Sequence, residues 1–420
     1  RVVVTGVSKE QERSIIREFQ KEDETFDYDK CKRGYYSLMS GNVIEEIIPH
    51  AIYSDTDSAY TLHLDVKVNP RFTFKLGAGV STNISNQIYF GLHYRNLNNH
   101  FKEFILDGQL GKVYNNIQLS ERINFLSDLP ISLNFIGSYS TFDYYNMKYL
   151  FSKENSVALN HQREVFAKMK LAFPFLNHKK AEFSIGVADI KDEYMPTSIV
   201  DLDMPNFDRN DITLFGGNIK FEGNTLNAKV FPNRGSYESL TAGFYIGKEK
   251  YRGAIKFANN EQHQSWLQIS YTRRDHIRLS SKLTIGTYRR LSKPYQATMM
   301  QAGAFTPTMN SIFNYDPKFR ANQFVAGGVT PILSLNSFIQ IRPSIYAFAP
   351  YRMIKENANG TASYSRKRFN DFQYIFDVTA VAKFSNISVS AFVNYYSSHK
   401  SSVNIGLTLG WFMFNERFFE

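Results

Sequence analysis

The sequence predicts a mainly-β protein: a transmembrane antiparallel β-barrel of about sixteen strands preceded by a small α+β domain. Three observations predict it. Long stretches alternate apolar and polar residues with a period of two. The connections between these stretches alternate between short and long. The chain is also rich in aromatics, with 36 Phe and 26 Tyr making up most of a 15% aromatic content, yet its mean hydropathy is −0.34. No apolar run approaches the roughly 20 residues that a helical membrane span needs. A membrane barrel accommodates this composition because each strand alternates lipid-facing with water-facing residues. The bland alternative is a soluble all-β protein.

The first 70 or so of the 420 residues read as a separate α+β module (1–70). "VVVTGV" (2–7) is a strand. Ser8 follows, with Gln11 three residues on, the capping-box spacing for a helix start. Ile15, Ile16 and Phe19 then share one helical face. A polar break, "KEDET", leads to a second helix with Asp27 as its N-cap and Tyr28, Cys31, Tyr35, Leu38 and Met39 at helical spacing; Ser40–Asn42 stops it. Two strands follow, "VIEEIIPHAIY" and "YTLHLDVKV", the second alternating through Leu62, Leu64 and Val66.

From Arg71 to the end (71–420) the pattern is that of hairpins. Phe72, Phe74, Leu76, Ala78 and Val80 alternate with Thr73, Lys75, Gly77 and Gly79. Ile88, Phe90, Leu92 and Tyr94 alternate with Tyr89, Gly91, His93 and Arg95. The last strand alternates Val403, Ile405, Leu407, Leu409, Trp411 and Met413 with Asn404, Gly406, Thr408 and Gly410. Small and polar residues suit a lumen, and the apolar set suits outer-membrane lipid. Short turns are read at "LNNH", "SDLP", "LNHK", "PNRG" (232–235), "RRDH" (273–276), "LSLN" (333–336) and "SN". Longer connections are read at about 144–162, 192–210, 248–263, 291–321 and 350–369. A sandwich has no reason to place tight turns on one side only. Seven such turns imply about sixteen strands, an even number that lets a sheet close without a free edge.

Charge and cysteine content exclude some functions. The net charge of +10 is spread over the chain with no compact Lys/Arg cluster, so nucleic acid is not an expected partner. Cys31, the single cysteine, forms no internal disulfide and reads as a core residue of the second helix. No signal peptide opens the chain, which is read as a fragment of a mature protein with an upstream part missing.

Some strings carry a family resemblance. The β-α-α-β-β order of the first module resembles a POTRA domain, the periplasmic module that precedes certain outer-membrane barrels. The stretch "NTLNAKVFPNRGSYESLTAGFYIG" is similar to an "FPxxG" periplasmic turn between the eighth and ninth strands of the POTRA-plus-sixteen-strand superfamily, which includes outer-membrane insertases and two-partner secretion translocators. Phe231, Pro232 and Gly235 occupy that turn, and the strand count places them at the same junction. More narrowly, "GYYSLMSGNVIEEIIPHAIY" and "GLHYRNLN" resemble the barrel part of Bacteroidales patatin-like phospholipases. That resemblance implies an upstream lipid esterase domain in the same polypeptide. The superfamily also carries an in-folded loop with a V/L/I-R-G-F/Y tip. Here the matching segment is "KFRANQFVAGGV" (318–329): Phe319 and Arg320 match, while Ala321 and Asn322 depart from the pattern. The resemblance implies that Arg320 meets an acidic residue of the inner wall, and strand parity offers Asp371 and Asp377.

No catalytic motif is present. "GVSKE" and "GVSTN" lack the second glycine of a nucleophile elbow, and "DGQLG" (107–111) lies in an alternating strand without a partner serine. No metal-ligand spacing and no phosphate loop occur, so no cofactor is expected and the chain by itself is not expected to be an enzyme. The functional reading is an outer-membrane anchor and translocator for the upstream esterase, with the N-terminal domain in the periplasm, where it takes an extended polypeptide. An insertase, a solute channel and a soluble binding protein are the alternatives. Glycines in the first and last strands suggest a weak seam between them.

Overall fold

The computed structural model describes residues 2–19, 31, 35, 38, 44–54, 59–82, 86–97, 101–125, 131–145, 158–175, 179–194, 208–252, 261–279, 283–293, 304–313, 316–356, 362–384, 387–398 and 403–420. The N-terminal module is built from β1 (Val2–Thr5), α1 (Lys9–Phe19), β2 (Ile44–Ser54) and β3 (Ala59–Val68). Its sheet has the order β1-β3-β2, with β1 parallel and β2 antiparallel to β3. The helix starts where the capping box places it. Ser8 N–H donates to Gln11 Oε1 (3.0 Å) and Gln11 N–H donates back to Ser8 Oγ (3.4 Å). Ile15 and Phe19 from α1, Leu38, and Leu62, Leu64 and Val66 from β3 form one apolar core. Cys31 and Tyr35, both helical, pack against it. Asp27, Tyr28, Met39 and the Ser40–Asn42 stop lie outside the described residues.

The second body is a ring. It begins with β4 (Phe72–Ser81), β5 (Asn86–Leu97), β6 (Phe101–Gly111), β7 (Tyr114–Phe125) and β8 (Ile131–Tyr145). It continues through β9 (Ala158–Pro174), β10 (Lys179–Tyr194), β11 (Asp208–Asn224), β12 (Gly235–Arg252) and β13 (Glu261–Arg278). Next come β14 (Leu283–Lys293), β15 (Phe324–Ser334) and β16 (Ile339–Pro350). A side hairpin of β17 (Ile354–Glu356) and β18 (Ala362–Tyr364) interrupts before β19 (Gln373–Lys383), β20 (Ser388–Tyr396) and β21 (Val403–Gly410). Sixteen strands are thus hydrogen-bonded in series, each antiparallel to the next in chain order. Among the described residues the seam is short: β21 pairs with β4 over Thr408↔Ser81, Leu409↔Val80 and Gly410↔Gly79, flanked by Thr82 N–H to Leu407 O (2.9 Å) and Trp411 N–H to Ala78 O (3.4 Å), whereas β4 and β5 pair from Phe72↔Tyr94 to Val80↔Asn86.

The two faces of the ring have opposite chemistry. Phe74 (65% exposed), Leu76 (71%), Ile88 and Ile405 point outward, while Gln109, Glu164, Asn210 and Asn394 are buried inside. This is the reverse of a soluble protein, where a buried polar group is the exception.

The structure corrects three expectations. "RRDH" is no turn; it lies inside β13, which pairs with β12 as far as His276↔Gly235. Charges two apart share a strand face, and Arg273 Nε meets Asp275 Oδ2 at 2.8 Å, so a polar string is compatible with continued pairing. The last strand ends at Gly410, not beyond Met413. Gly410 has φ +84°, a left-handed conformation that a side chain would strain, and a Cβ there would lie 2.1 Å from Ala78 O. The chain therefore leaves the sheet at that point. Finally, "PNRG" is not a tight hairpin. Residues 225–234 form an open loop between β11 and β12, closed at its neck by the Asn227 side chain, whose Oδ1 accepts from Asn233 N (3.1 Å) and Arg234 N (3.0 Å). Gly235 does adopt positive φ (+85°), and so does Phe231 (+51°).

Candidate functional site: the barrel lumen

The inner wall is lined by polar and charged side chains from alternate strand positions, and three chain segments fold against it. The first is the loop before β15. Ala304 bridges Arg320, and Phe305 N–H donates to Phe319 O at 2.9 Å, which doubles the loop back on itself. Phe305 and Phe319 then bury themselves against Phe324, Tyr346, Phe348, Ile375 and Tyr396 of the wall. Phe305 stacks on Phe348 (5.8 Å between centroids) and Phe319 meets Tyr396 edge-on (5.7 Å). This apolar cluster on the inner wall anchors the loop by burial.

The site residues named from sequence fall in this region. Arg320 is buried, with its guanidinium carbon 4.9 Å from the Tyr144 ring of β8, the distance of a cation–π contact. Ala321 and Asn322 are also buried, so the departure from glycine and an aromatic is accommodated by close packing. Asp377 points inward from β19, and its Oδ1 accepts from Thr379 Oγ1 at 2.7 Å. Asp371 precedes β19 instead of lying on it.

The second segment is the loop 225–234. Arg342 Nη2 on β16 donates to Pro232 O at 2.9 Å, and Lys383 Nζ on β19 donates to Phe231 O. Arg342 also lies over the Phe231 ring, 5.7 Å from its centroid. The Phe231-Pro232 tip thus reaches from β11 and β12 to strands well round the ring. A left-handed φ at a phenylalanine costs on the order of 1–3 kcal/mol. Lys383 Nζ and, at 3.4 Å, Arg342 Nη1 both donate to the Phe231 carbonyl and offset it, since hydrogen bonds to charged groups contribute about 1.5–3 kcal/mol each.

The third segment is the C-terminal tail, Trp411–Glu420, which sequence reasoning missed. Past Gly410 it crosses the inner faces of β5 to β13. Gln87 donates from Nε2 to Met413 O (2.9 Å) and accepts Met413 N–H at Oε1 (2.7 Å). Asn415 donates to Asn116 Oδ1 (2.6 Å) and accepts from Gln109 (3.1 Å). Glu416 sits between Lys168 (3.0 Å) and Lys170 (2.6 Å). Burial alone would raise the Glu416 carboxyl, but the two ammonium groups outweigh it and hold its pKa below the usual carboxylate value. Phe412 packs on Val113, Tyr114 and Phe142, and Phe418 enters a pocket with Phe166, Tyr245 and Trp266. The signal in the sequence was the loss of alternation at "NERFFE" (415–420), three residues past the Gly410-Trp411 step.

A further cluster stands on β5 and β6. His93 lies 3.6 Å from both Glu103 and Asp107, Arg95 Nε pairs with Glu103 at 3.0 Å, and Tyr89 donates to Asp107 at 2.7 Å. Among the described residues no group of His, Cys, Asp and Glu is arranged to hold a metal ion.

Solved barrels share the fold of this inside-out ring. BamA from Haemophilus ducreyi, in a crystal structure lacking POTRA domains 1–3, superimposes with a TM-score of 0.62 at 14% identity, over 97% of this chain and 83% of that one. CdiB from Escherichia coli matches with a TM-score of 0.57 at 9% identity, over 97% and 75% of the two chains. CdiB from Acinetobacter baumannii matches with a TM-score of 0.56 at 9% identity, over 97% and 73%. The chain has the fold of these barrels, and the similarity is to barrels rather than to enzymes. No family model and no curated protein matches the sequence.

Proposed function

We propose that the protein is an outer-membrane barrel of the insertase or translocator type that acts on polypeptides. The observation that carries this reading is the pairing of an apolar exterior with a lumen filled by an in-folded loop. An exterior presenting Phe74, Leu76 and Ile405 is stable in lipid and not in water. A filled lumen suits a regulated polypeptide path and does not suit a permanently open solute pore. In this reading Phe319 and Arg320 hold the loop in place, Arg320 through Tyr144 and a wall carboxylate, with Asp377 the better placed of the two named from sequence. The N-terminal module is read as POTRA-like and periplasmic. Phe101, at the start of β6, belongs to the module's apolar core, which supports its docking at the end of the barrel that carries the 225–234 loop.

The finer reading, an anchor for an upstream lipid esterase of the patatin type, rests on the sequence resemblance alone. Reading the upstream open reading frame tests it: a G-x-S-x-G domain supports it, and tandem POTRA modules in that place overturn it. The broader proposal is tested by planar-bilayer recording of the purified barrel. Closed or flickering low conductance is expected, whereas a wide, stable open pore overturns the translocator reading. Purification as a soluble monomer without detergent overturns the membrane assignment itself.

A further inference from the structure

We infer that the strip of inner wall beneath Trp411–Glu420 is a binding groove for extended polypeptides bearing an acidic residue between two aromatics, occupied in cis by the protein's own tail. The inference deepens the translocator reading by naming a site on the polypeptide path, and it rests on that reading.

Four observations support it. None of residues 411–420 belongs to a strand of the ring; one main-chain bond at the root of the tail, Trp411 N–H to Ala78 O on β4 (3.4 Å), continues the seam, and beyond it the tail is held to the wall by side chains. Gln87 reads main chain rather than side chain, because one amide satisfies both the N–H and the C=O of Met413. Any extended residue presents the same pair of groups. The wall also reads side chains: Asn415 meets Asn116 and Gln109, Arg417 meets Glu164 (3.4 Å) and Gln162, and three contacts set the aromatic–acid–aromatic pattern. Phe412 and Phe418 fill separate aromatic-lined pockets, and between them Lys168 and Lys170 converge on Glu416. Glu164 accepts the Phe418 N–H at 3.1 Å and so marks where the main chain must lie. Lys168 and Glu164 are buried and lose their tail partners when it departs, which disfavours an empty groove, while Lys170 keeps Glu182 at 2.7 Å. A second chain with the same aromatic–acid–aromatic pattern satisfies them again. The covalently attached tail competes at high effective concentration, so it excludes weak binders and yields to a chain that is also held elsewhere.

The test uses the full chain, folded in detergent, with a protease site inserted between Gly410 and Trp411 and cut after folding. The probe is a fluorescein-labelled synthetic peptide of the sequence Trp411–Glu420, read by anisotropy against a scrambled peptide. The cut barrel is expected to bind the probe at least tenfold more tightly than the scrambled peptide and at least tenfold more tightly than the uncut barrel does. The variant Lys168→Glu/Lys170→Glu, cut in the same way, is expected to lose at least tenfold. Equal binding of probe and scrambled peptide, or no effect of the lysine changes, overturns the inference. A second arm avoids the insertion. In a Cys31→Ser background, Asn116→Cys with Asn415→Cys places two thiols where side chains now meet. Oxidation is expected to abolish probe binding and reduction to restore the weaker binding of the uncut barrel, and equal probe binding in the oxidised and reduced states overturns the inference. Failure of these binding arms with a low-conductance pore sinks the groove and leaves the translocator reading standing. A wide, stable pore before cutting sinks the translocator reading instead.

Discussion

The N-terminal module and the ring bury opposite kinds of residue. In the module, Ile15, Leu38 and Leu64 are fully buried, and Glu45 and Glu46 face out. In the ring, Gln109, Asn210 and Glu164 are buried, and Phe74, Leu76 and Ile405 face out. One chain therefore follows two burial rules, and the difference identifies two solvents. A module surrounded by water hides its apolar groups; a ring surrounded by lipid displays them and hides polar groups around a hydrated interior.

Substitutions on the two bodies sharpen this contrast. The largest effect is expected at the module core, where Leu64→Ala removes a buried side chain and costs about 2–5 kcal/mol. Hydrogen exchange should show faster exchange across β1–β3 while the ring stays protected. On the ring, Leu76→Arg places a charge on the lipid face and costs about 2–4 kcal/mol if the position lies near mid-bilayer. Urea unfolding in lipid vesicles measures it. A neutral result would break the contrast by removing lipid as the outer solvent. A smaller effect is expected from Ser8→Ala, which deletes half of the capping box and costs about 1 kcal/mol of module stability, read from its denaturation midpoint.

The smallest effect concerns the tail. The Glu416 carboxyl has a depressed pKa in the folded protein, so its pairing with Lys168 and Lys170 contributes fully above the unfolded carboxylate value, about 4.3, and is lost as pH falls below it. Trp266 lies against Phe419, with ring centroids 6.3 Å apart, so tryptophan fluorescence reports tail release. An acid transition below about pH 4 is expected in the native protein, and Glu416→Gln should abolish that component.

The strands were legible because a two-residue period is a local property. Each apolar residue from Phe72 to Val80 was assignable from its neighbours alone, and only the identity of the solvent on each face had to be inferred. The helix start at Ser8 was legible for the same reason, since the capping box spans four residues. "RRDH" was misread because turn-forming composition and a lumen-compatible polar strand look alike until the β12 register is known.

What sequence alone determined is the series of strands and the junction holding Phe231–Gly235; strand parity offered Asp371 and Asp377 alike, and only Asp377 lies on β19. Tertiary structure decided what fills the ring. Whether Trp411 continues a strand or turns inward depends on the φ of Gly410 and on Gln87, Glu164 and Lys168, which lie more than 200 residues away in the chain. The reach of the Phe231-Pro232 tip depends likewise on Arg342 and Lys383. Such contacts leave no periodic trace, because they join residues that closure of the ring, and not the local chain, brings together.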